Sequence, residues 1–592
     1  MTTGNLPTGR REVRNWSQRA GLITIAMAIV IVGCSAPSER FSNGADRDDS
    51  INTPATAAFD PAAKGPAPEV PGAKPGGTVT VVTSQAPHTF DPARAYYQDV
   101  NAILRLTTRA LTAIVVRDGA SVLVPDLATD LGKVSADELT WTFTLKDGLK
   151  YEDGSSVEPA DIAYAIKRSF AHEELPSGPT YQDTYFKDGG TYNGPYKSGN
   201  GFAGVSTPDN KTVAIHLARP FADLPYFASF QLFGPLPEEK DTKENYSNHP
   251  LSTGPYMFDS YQPGQRLVLK KNPNWDPDTD PARHQYPDTF DFKFSQDLLK
   301  AQTQILAGNG VDATSLNYDG VDSSLIPQVT SDHKANLVSG PSPCTSFQTL
   351  DTRKIPLPVR TALALAWNFE DENKAAGLNP LNLSPATTVA PPQTPGWFNF
   401  DALGTGGRGT GDPVKARQML QTAGKIGFTI RWYYANNSEI APKVAQVRTS
   451  WLTEAGFDPE PIGVPRQQLR DVVAKSESPA NIGQGPAGWC TDWPSGATLF
   501  PAIFDSSAAE SGNSAGFLND PFVDSEINRI TALPAAQAGG EWAKFERHIM
   551  TQLLPVIPLG HAKSSLVVGR GLGNVVNDPN FGMPDFPVIF VK

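Results

Sequence analysis

Four stretches of this chain carry residue types that could do chemistry. Gly512-Asn513-Ser514-Ala515-Gly516 has the spacing of a nucleophile elbow, and acids (Asp520, Asp524) and histidines (His548, His561) follow it in hydrolase order. An elbow requires a buried strand before the serine and a helix directly after it. Here polar loop sequence precedes Ser514 and Phe517-Leu518-Asn519-Asp520-Pro521 follows, so a secreted serine hydrolase is the weakest reading. Gly404 to Gly409 fits a dinucleotide-type glycine pattern, but no apolar strand leads into it. Asp276, Asp278 and Asp280 alternate like the start of a calcium loop, yet the turn glycine is missing and Pro287 stands where a bidentate Glu belongs. A solvated hairpin tip is expected there. The eight histidines never pair at metal-ligand spacing. No catalytic residue, cofactor or metal is expected.

The fourth stretch, Trp489-Cys490-Thr491-Asp492-Trp493, is the most informative. A carboxylate beside two indoles, bounded by Gly485, Gly488 and Pro494, belongs on a rigid and partly dry loop. A desolvated carboxylate is costly unless paired. A ligand ammonium would supply the pair through charge-assisted hydrogen bonds worth roughly 1.5–3 kcal/mol each. The competing assignment has Asp492 capping a turn or pairing with an arginine of its own domain, and the two tryptophans serving as core.

Several elements must position these residues. Arg10, Arg11, Arg14 and Arg19 precede a nearly all-apolar run over Gly21–Val32. That run is too short to span a hydrocarbon core of about 30 Å and reads as an export signal. It ends in Ile31-Val32-Gly33-Cys34, which resembles a bacterial lipobox and makes Cys34 the expected lipidation site. Residues 35–75, rich in Ser, Pro, Ala, Asp and Gly, read as a disordered tether. With Cys34 so assigned, Cys344 and Cys490 remain as a pair in an oxidising compartment. There is no C-x-x-C and no histidine at ligand spacing, so a disulfide is preferred over a metal site or a nucleophilic thiol.

Period-two alternation predicts strands at Thr78–Val82 and Thr140–Leu145, and Arg266–Lys270, Val556–Leu559 and Pro587–Val591 also read as strands. Helical stripes are predicted from Pro159 to Phe170, after Pro358, after Asp412-Pro413, over Ile440–Ala455 and over Trp542–Leu553. The net charge is −12, from 50 basic and 62 acidic residues. With no basic stripe, nucleic acid is not a partner. A length of 592 residues requires more than one folding unit, and no short-period repeat suggests a solenoid.

Several of these pieces together resemble the extracytoplasmic solute-binding proteins of ABC importers, the oligopeptide/dipeptide/nickel-binding family. They are Val124 to Ala128, Trp141 to Ser155, Pro159 to Ala163, Ser252 to Tyr256, Asn272 to Trp275, Val359 to Leu363 and Asp412 to Ala416. Tyr151-Glu152-Asp153-Gly154 departs from that family's usual Phe-His-Asp-Gly-like turn. The resemblance implies an α/β fold, a two-lobed type II clamp with an extra smaller domain and mixed sheets flanked by helices. The boundaries expected are 1–33 for the signal peptide, 34–75 for the lipidated Cys and tether, and 76–115 with 210–343 and 560–592 for lobe I. Residues 116–209 are expected to form the small domain and 344–559 lobe II. The resemblance also implies a Cys344–Cys490 disulfide and an Asp492 that pairs with a peptide's α-ammonium. The expected ligand contacts are Asp492, Trp489, Trp493, Gly488 and Cys490. The partners implied are a peptide-like small molecule, an ABC permease with its ATPase, and the membrane through the lipid anchor, the protein acting as a monomer. A nickel chelate or an oligosaccharide in the same clamp, or a surface sensor that transports nothing, are the alternatives.

Overall fold

The computed structural model describes residues 58–475, 477–509 and 512–592; the export signal and Cys34 lie outside them. The largest sheet has nine strands, and its order explains how distant segments come together. It runs from Gly488–Cys490 through Leu337–Thr349, Val556–Val568, Ser315–Asn317, Thr78–Val82, Thr289–Lys293 and Arg266–Lys271 to Tyr256–Gln262, with Leu383–Ser384 also pairing to Val556–Val568. Thr78–Val82 runs parallel to both its neighbours, and the other pairings are antiparallel. The sheet is therefore mixed.

Two 13-residue strands, Leu337–Thr349 and Val556–Val568, form a long antiparallel ribbon in this sheet. Its register shifts between Pro341 and Thr345 and again between Ser346 and Phe347. Pro341 and Pro343 lack the N–H a ladder needs, which accounts for the first lapse. At one end, Leu566 and Val568 join a core with Val79, Val81, Phe290 and Phe292. At the other, Phe347, Val556 and Ile557 join a core with Leu363, Trp367, Trp451 and Trp542.

A third core packs helix Pro159–Arg168 on a four-stranded antiparallel sheet, ordered Lys133–Val134, Thr140–Thr144, Thr212–His216 and Val205–Ser206. The parallel pair Thr429–Ala435 and Asp458–Val464 is joined by helix Ala441–Glu454. Helix Pro413–Thr422 starts where Asp412 accepts from Lys415 N–H at 2.8 Å. Among the described residues no helix is long and apolar enough to cross a membrane.

The structure differs from the sequence expectations in several places. Residues 58–75, expected in the tether, lie against the fold: Ala58–Phe59 pairs in parallel with Ala120–Pro125, and Asp60 bonds Arg117 at 2.6 Å. Asp280, expected at a solvated tip, is fully buried between Arg283 and Arg109. Its carboxylate also accepts from the Trp275 indole, partners that a local charge pattern does not reveal. The last helix, Ala535–His548, continues as a π-turn over Ile549–Leu553 and ends on Leu554 at φ 43°. At the chain end only Phe590–Val591 is a strand, because Phe586–Val588 forms a 3-10 turn.

Candidate functional site

Strand Gly488–Cys490 ends the large sheet, and the site is built around it. Cys344 lies directly opposite Cys490, Thr345 opposite Trp489 and Ser346 opposite Gly488. The first pair is joined as a disulfide, with Cα atoms 3.9 Å apart. The Gln98 amide reaches the Cys344 sulfur at 3.3 Å. Phe347 N–H donates to Ala487 O and Thr491 N–H to Pro343 O. Antiparallel alternation then turns the main-chain groups of Trp489 toward the neighbouring strand and those of Gly488 and Cys490 outward. They lie on an open edge. Position 488 must be glycine, because a Cβ there would stand 2.5 Å from Thr345 O.

Just beyond the strand, a short turn fixes Asp492. Ser495 accepts from Ala497 N–H and heads the 3-10 turn Gly496–Thr498. The Thr498 hydroxyl accepts from Asp492 N–H at 3.2 Å, and its carbonyl accepts from the Trp489 indole at 3.0 Å. The Asp492 carboxylate faces residues far away in sequence. Its Oδ2 accepts from the Tyr96 hydroxyl at 2.8 Å and the Tyr181 hydroxyl at 2.5 Å. Tyr96 precedes helix Gln98–Leu104, and Tyr181 opens the short helix Tyr181–Tyr185.

No ion pair to Asp492 forms among the described residues. Burial pushes its pKa up to about 6, and the two phenol bonds only partly oppose that rise. Burial and the adjacent carboxylate also hold both tyrosines well above the usual phenol range. Arg105 and Arg283 share a cavity of about 30 Å³ with Asp492. Their charges are already taken: Arg105 pairs with Asp578 and Asp585, and Arg283 with Asp126 and Asp280. Neither guanidinium is the partner of Asp492.

The other residues singled out in the sequence separate into packing and site. Trp493 is a correction: it is 1% exposed, its ring lies among Tyr181, Phe227 and Phe230, and its indole donates to buried Asp223 at 2.8 Å. It is a core residue, with its faces covered by protein. Trp489 is half-buried and packs on the neighbouring core while its indole bonds Thr498. Ser514 is buried, and its hydroxyl meets no hydrogen-bond partner among the described residues, so no base activates it. The glycine-rich loop is organised from within, with Asp401 accepting from the N–H groups of Leu403, Gly404 and Gly406.

Sequence reasoning missed Tyr96, Tyr181 and Asp223, and weighed His561 only as a member of a hydrolase order. Tyr96 and Tyr97 are adjacent aromatics, the only signal the sequence offers for the first. Tyr181 borders a polar, glycine-rich stretch with no legible role. His561 is buried between the hydroxyls of Thr345 and Thr388, and burial holds its pKa down near 4.

The comparisons with known proteins bear on the family and the fold. A family model described as bacterial extracellular solute-binding proteins, family 5 middle, matches residues 122–511. A probable D,D-dipeptide-binding periplasmic protein of Escherichia coli K12 is 24% identical over 63% of this chain and 67% of its own length. A glutathione-binding protein of Salmonella typhi is 24% identical over 72% of this chain and 78% of its own. Among solved structures, a clavulanic acid biosynthesis oligopeptide binding protein 2 superposes with a TM-score of 0.79 at 27% identity. That match covers 91% of this chain and 99% of the other. With the fold matched along nearly the whole described chain and the family model spanning most of it, the chain belongs to the bacterial extracellular solute-binding proteins of family 5.

Proposed function

We propose that this extracytoplasmic solute-binding protein of an ABC transporter captures oligopeptides or dipeptides by their free N-terminal amine and delivers them to a permease and its ATPase. Its family consists of receptors, not enzymes. One observation carries the ligand class: Asp492 is a half-buried carboxylate that takes two phenol hydrogen bonds and no ion pair from any described residue, just beyond an open strand edge. An α-ammonium completes that carboxylate. A peptide main chain completes the outward groups of Gly488 and Cys490, in the manner of strand addition. Names of the similar proteins refer to oligopeptides, a dipeptide and glutathione, which is the chemistry this site suits.

The clamp reading is supported by the separate cores at the two ends of the long ribbon and by the third core around helix Pro159–Arg168. In this reading 76–115, 210–343 and 560–592 form lobe I, 116–209 the small domain and 344–559 lobe II. Tyr96 and Tyr181 then reach Asp492 from the other two units. Ligand contact to several units favours the shut state by population shift. The protein acts as a monomer held by lipid on Cys34. Membrane fractionation of wild type and Cys34→Ala checks the anchor: loss from the membrane fraction is expected, and unchanged partition would remove it.

Calorimetry with one peptide, free and N-acetylated, checks the ligand class. The free amine is expected to bind at least tenfold more tightly, the size of one charge-assisted bond. Asp492→Asn is expected to abolish the difference. Equal affinity in wild type would overturn the assignment.

A further inference from the structure

Buried polar side chains almost always find a partner, and one that does not calls for an explanation. Two such carboxamides border the cavity of about 30 Å³ that Asp492 also lines. Asn101, on helix Gln98–Leu104, is 8% exposed, and Gln231, which opens the 3-10 turn Gln231–Phe233, is 4% exposed. Gln231 Oε1 is wholly buried and meets no hydrogen-bond partner among the described residues. The Asn101 side chain likewise makes no hydrogen bond with any described residue. Both phenols bond Asp492 through Oδ2, and its Oδ1 accepts from no described residue.

The charged groups around the cavity decide what it can hold. Arg105 donates to Asp578 and to Ile114 O, and lies over the Phe581 ring. Arg283 donates through Nε to Arg105 O at 2.6 Å and through its other nitrogens to Asp126 and Asp280. Each guanidinium is neutralised by carboxylates of its own, so neither makes the cavity a site for an anion. What stays unused is acceptor capacity: one carboxylate oxygen and two carboxamides. A carboxamide offers its oxygen or its NH2 according to its last torsion, and a cation draws the oxygen. A water needs about 10–15 Å³ of such space, so this cavity admits an ammonium group and little more.

Resting on the amine reading above, we infer that Asn101 and Gln231 are specificity-determining residues that restrict the site to primary amines. Asp492 Oδ1 takes one N–H of the ligand ammonium, and the two carboxamide oxygens take the other two. A peptide that begins with Pro or with an N-methylated residue keeps the positive charge but has one N–H fewer, and it brings an extra carbon into a cavity without room for it. Charge alone would accept such a ligand; the paired carboxamides reject it, because one buried acceptor is then left facing carbon.

Calorimetry on the full chain with one tripeptide beginning with Ala, with N-methyl-Ala or with N-acetyl-Ala tests the assignment. The primary amine is expected to bind at least tenfold more tightly than the N-methyl form. Gln231→Met and Asn101→Leu, which remove an acceptor and keep the side chain's size, are each expected to weaken the primary amine about tenfold and the N-methyl form little, so that the two bind alike. The ligand-free melting temperature of Gln231→Met is expected to hold or rise, because the variant removes a buried carbonyl that has no partner. A variant that melts lower and weakens every peptide equally assigns its residue to packing and overturns the inference. A wild-type preference for the primary amine that survives both substitutions overturns it too. If primary and N-methyl amines bind alike while both outbind the acetylated form, the inference falls and the amine reading stands. If the acetylated peptide binds as well as the free amine, both fall.

Discussion

At Asp492 desolvation makes the charged form costly. Folded, the group titrates near 6; unfolded, near 4. The folded state therefore holds a proton that the unfolded chain releases, and the stability from this group is present below about pH 4 and lost as pH rises to about 6. Asp492→Asn is expected to raise the melting temperature of the ligand-free protein at pH 7 and to leave it unchanged at pH 4, as read by calorimetry. A ligand ammonium needs the ionised form. Affinity for free-amine peptides is expected to fall about tenfold per pH unit below 6, and the Asn variant to lose that dependence. Trp493 gives the contrasting case: Trp493→Ala is expected to cost about 3–5 kcal/mol in denaturant unfolding, because the ring fills a core shared with Tyr181 and Phe227. Sequence alone marked Asp492 and misjudged Trp493 for the same reason. A carboxylate between indoles announces a dry site, but which indole faces solvent depends on Phe227 and Phe230, which lie more than 250 residues away.

Among the elements, the edge strand depends most on its covalent tie. Cys344 and Cys490 are 146 residues apart in sequence, and closing a loop of that length stabilises by about 5 kcal/mol in the chain-entropy account. The double variant Cys344→Ser, Cys490→Ser is expected to lose on that order of stability and to bind peptide more weakly, because the outward groups of Gly488 and Cys490 lose their fixed register. Unchanged affinity in the variant would show that Thr345 pairing alone holds the edge. Much at this scale was legible. Strand Thr78–Val82, helix Pro159–Arg168 and the Asp412 cap follow from periodicity and cap chemistry that a few residues determine. The tether was misjudged because pairing of Ala58–Phe59 depends on an edge offered by Ala120–Pro125, which composition cannot reveal. Tyr181 was hidden similarly, its importance arising only where its hydroxyl meets Asp492.

For the whole molecule, several buried acids act together. Asp492 and Asp585 are pushed up to about 6 and Glu546 to about 7, all by burial. Each favours the folded state as pH falls toward 4. His561, held near 4, opposes them below about 6.5. Asp280, held down to about 2 by Arg283 and Arg109, contributes stability that is lost only below about pH 4. With net charge −12 at pH 7, self-repulsion also eases on mild acidification. The melting temperature is expected to rise from pH 7.5 to a maximum near 5 and to fall below 4; a flat profile would show that these carboxyls are hydrated in solution.

The ribbon of Leu337–Thr349 with Val556–Val568 has a mechanical consequence. Its ladder lapses between Pro341 and Thr345, and the bridging Cys344 lies within that lapse. A rigid sheet cannot flex where every rung is made, so any rotation of one core against the other would concentrate at such a gap. The strand Gly488–Cys490 is bolted by its disulfide to that gap, so such a rotation would re-aim its free edge as a lever re-aims its tip.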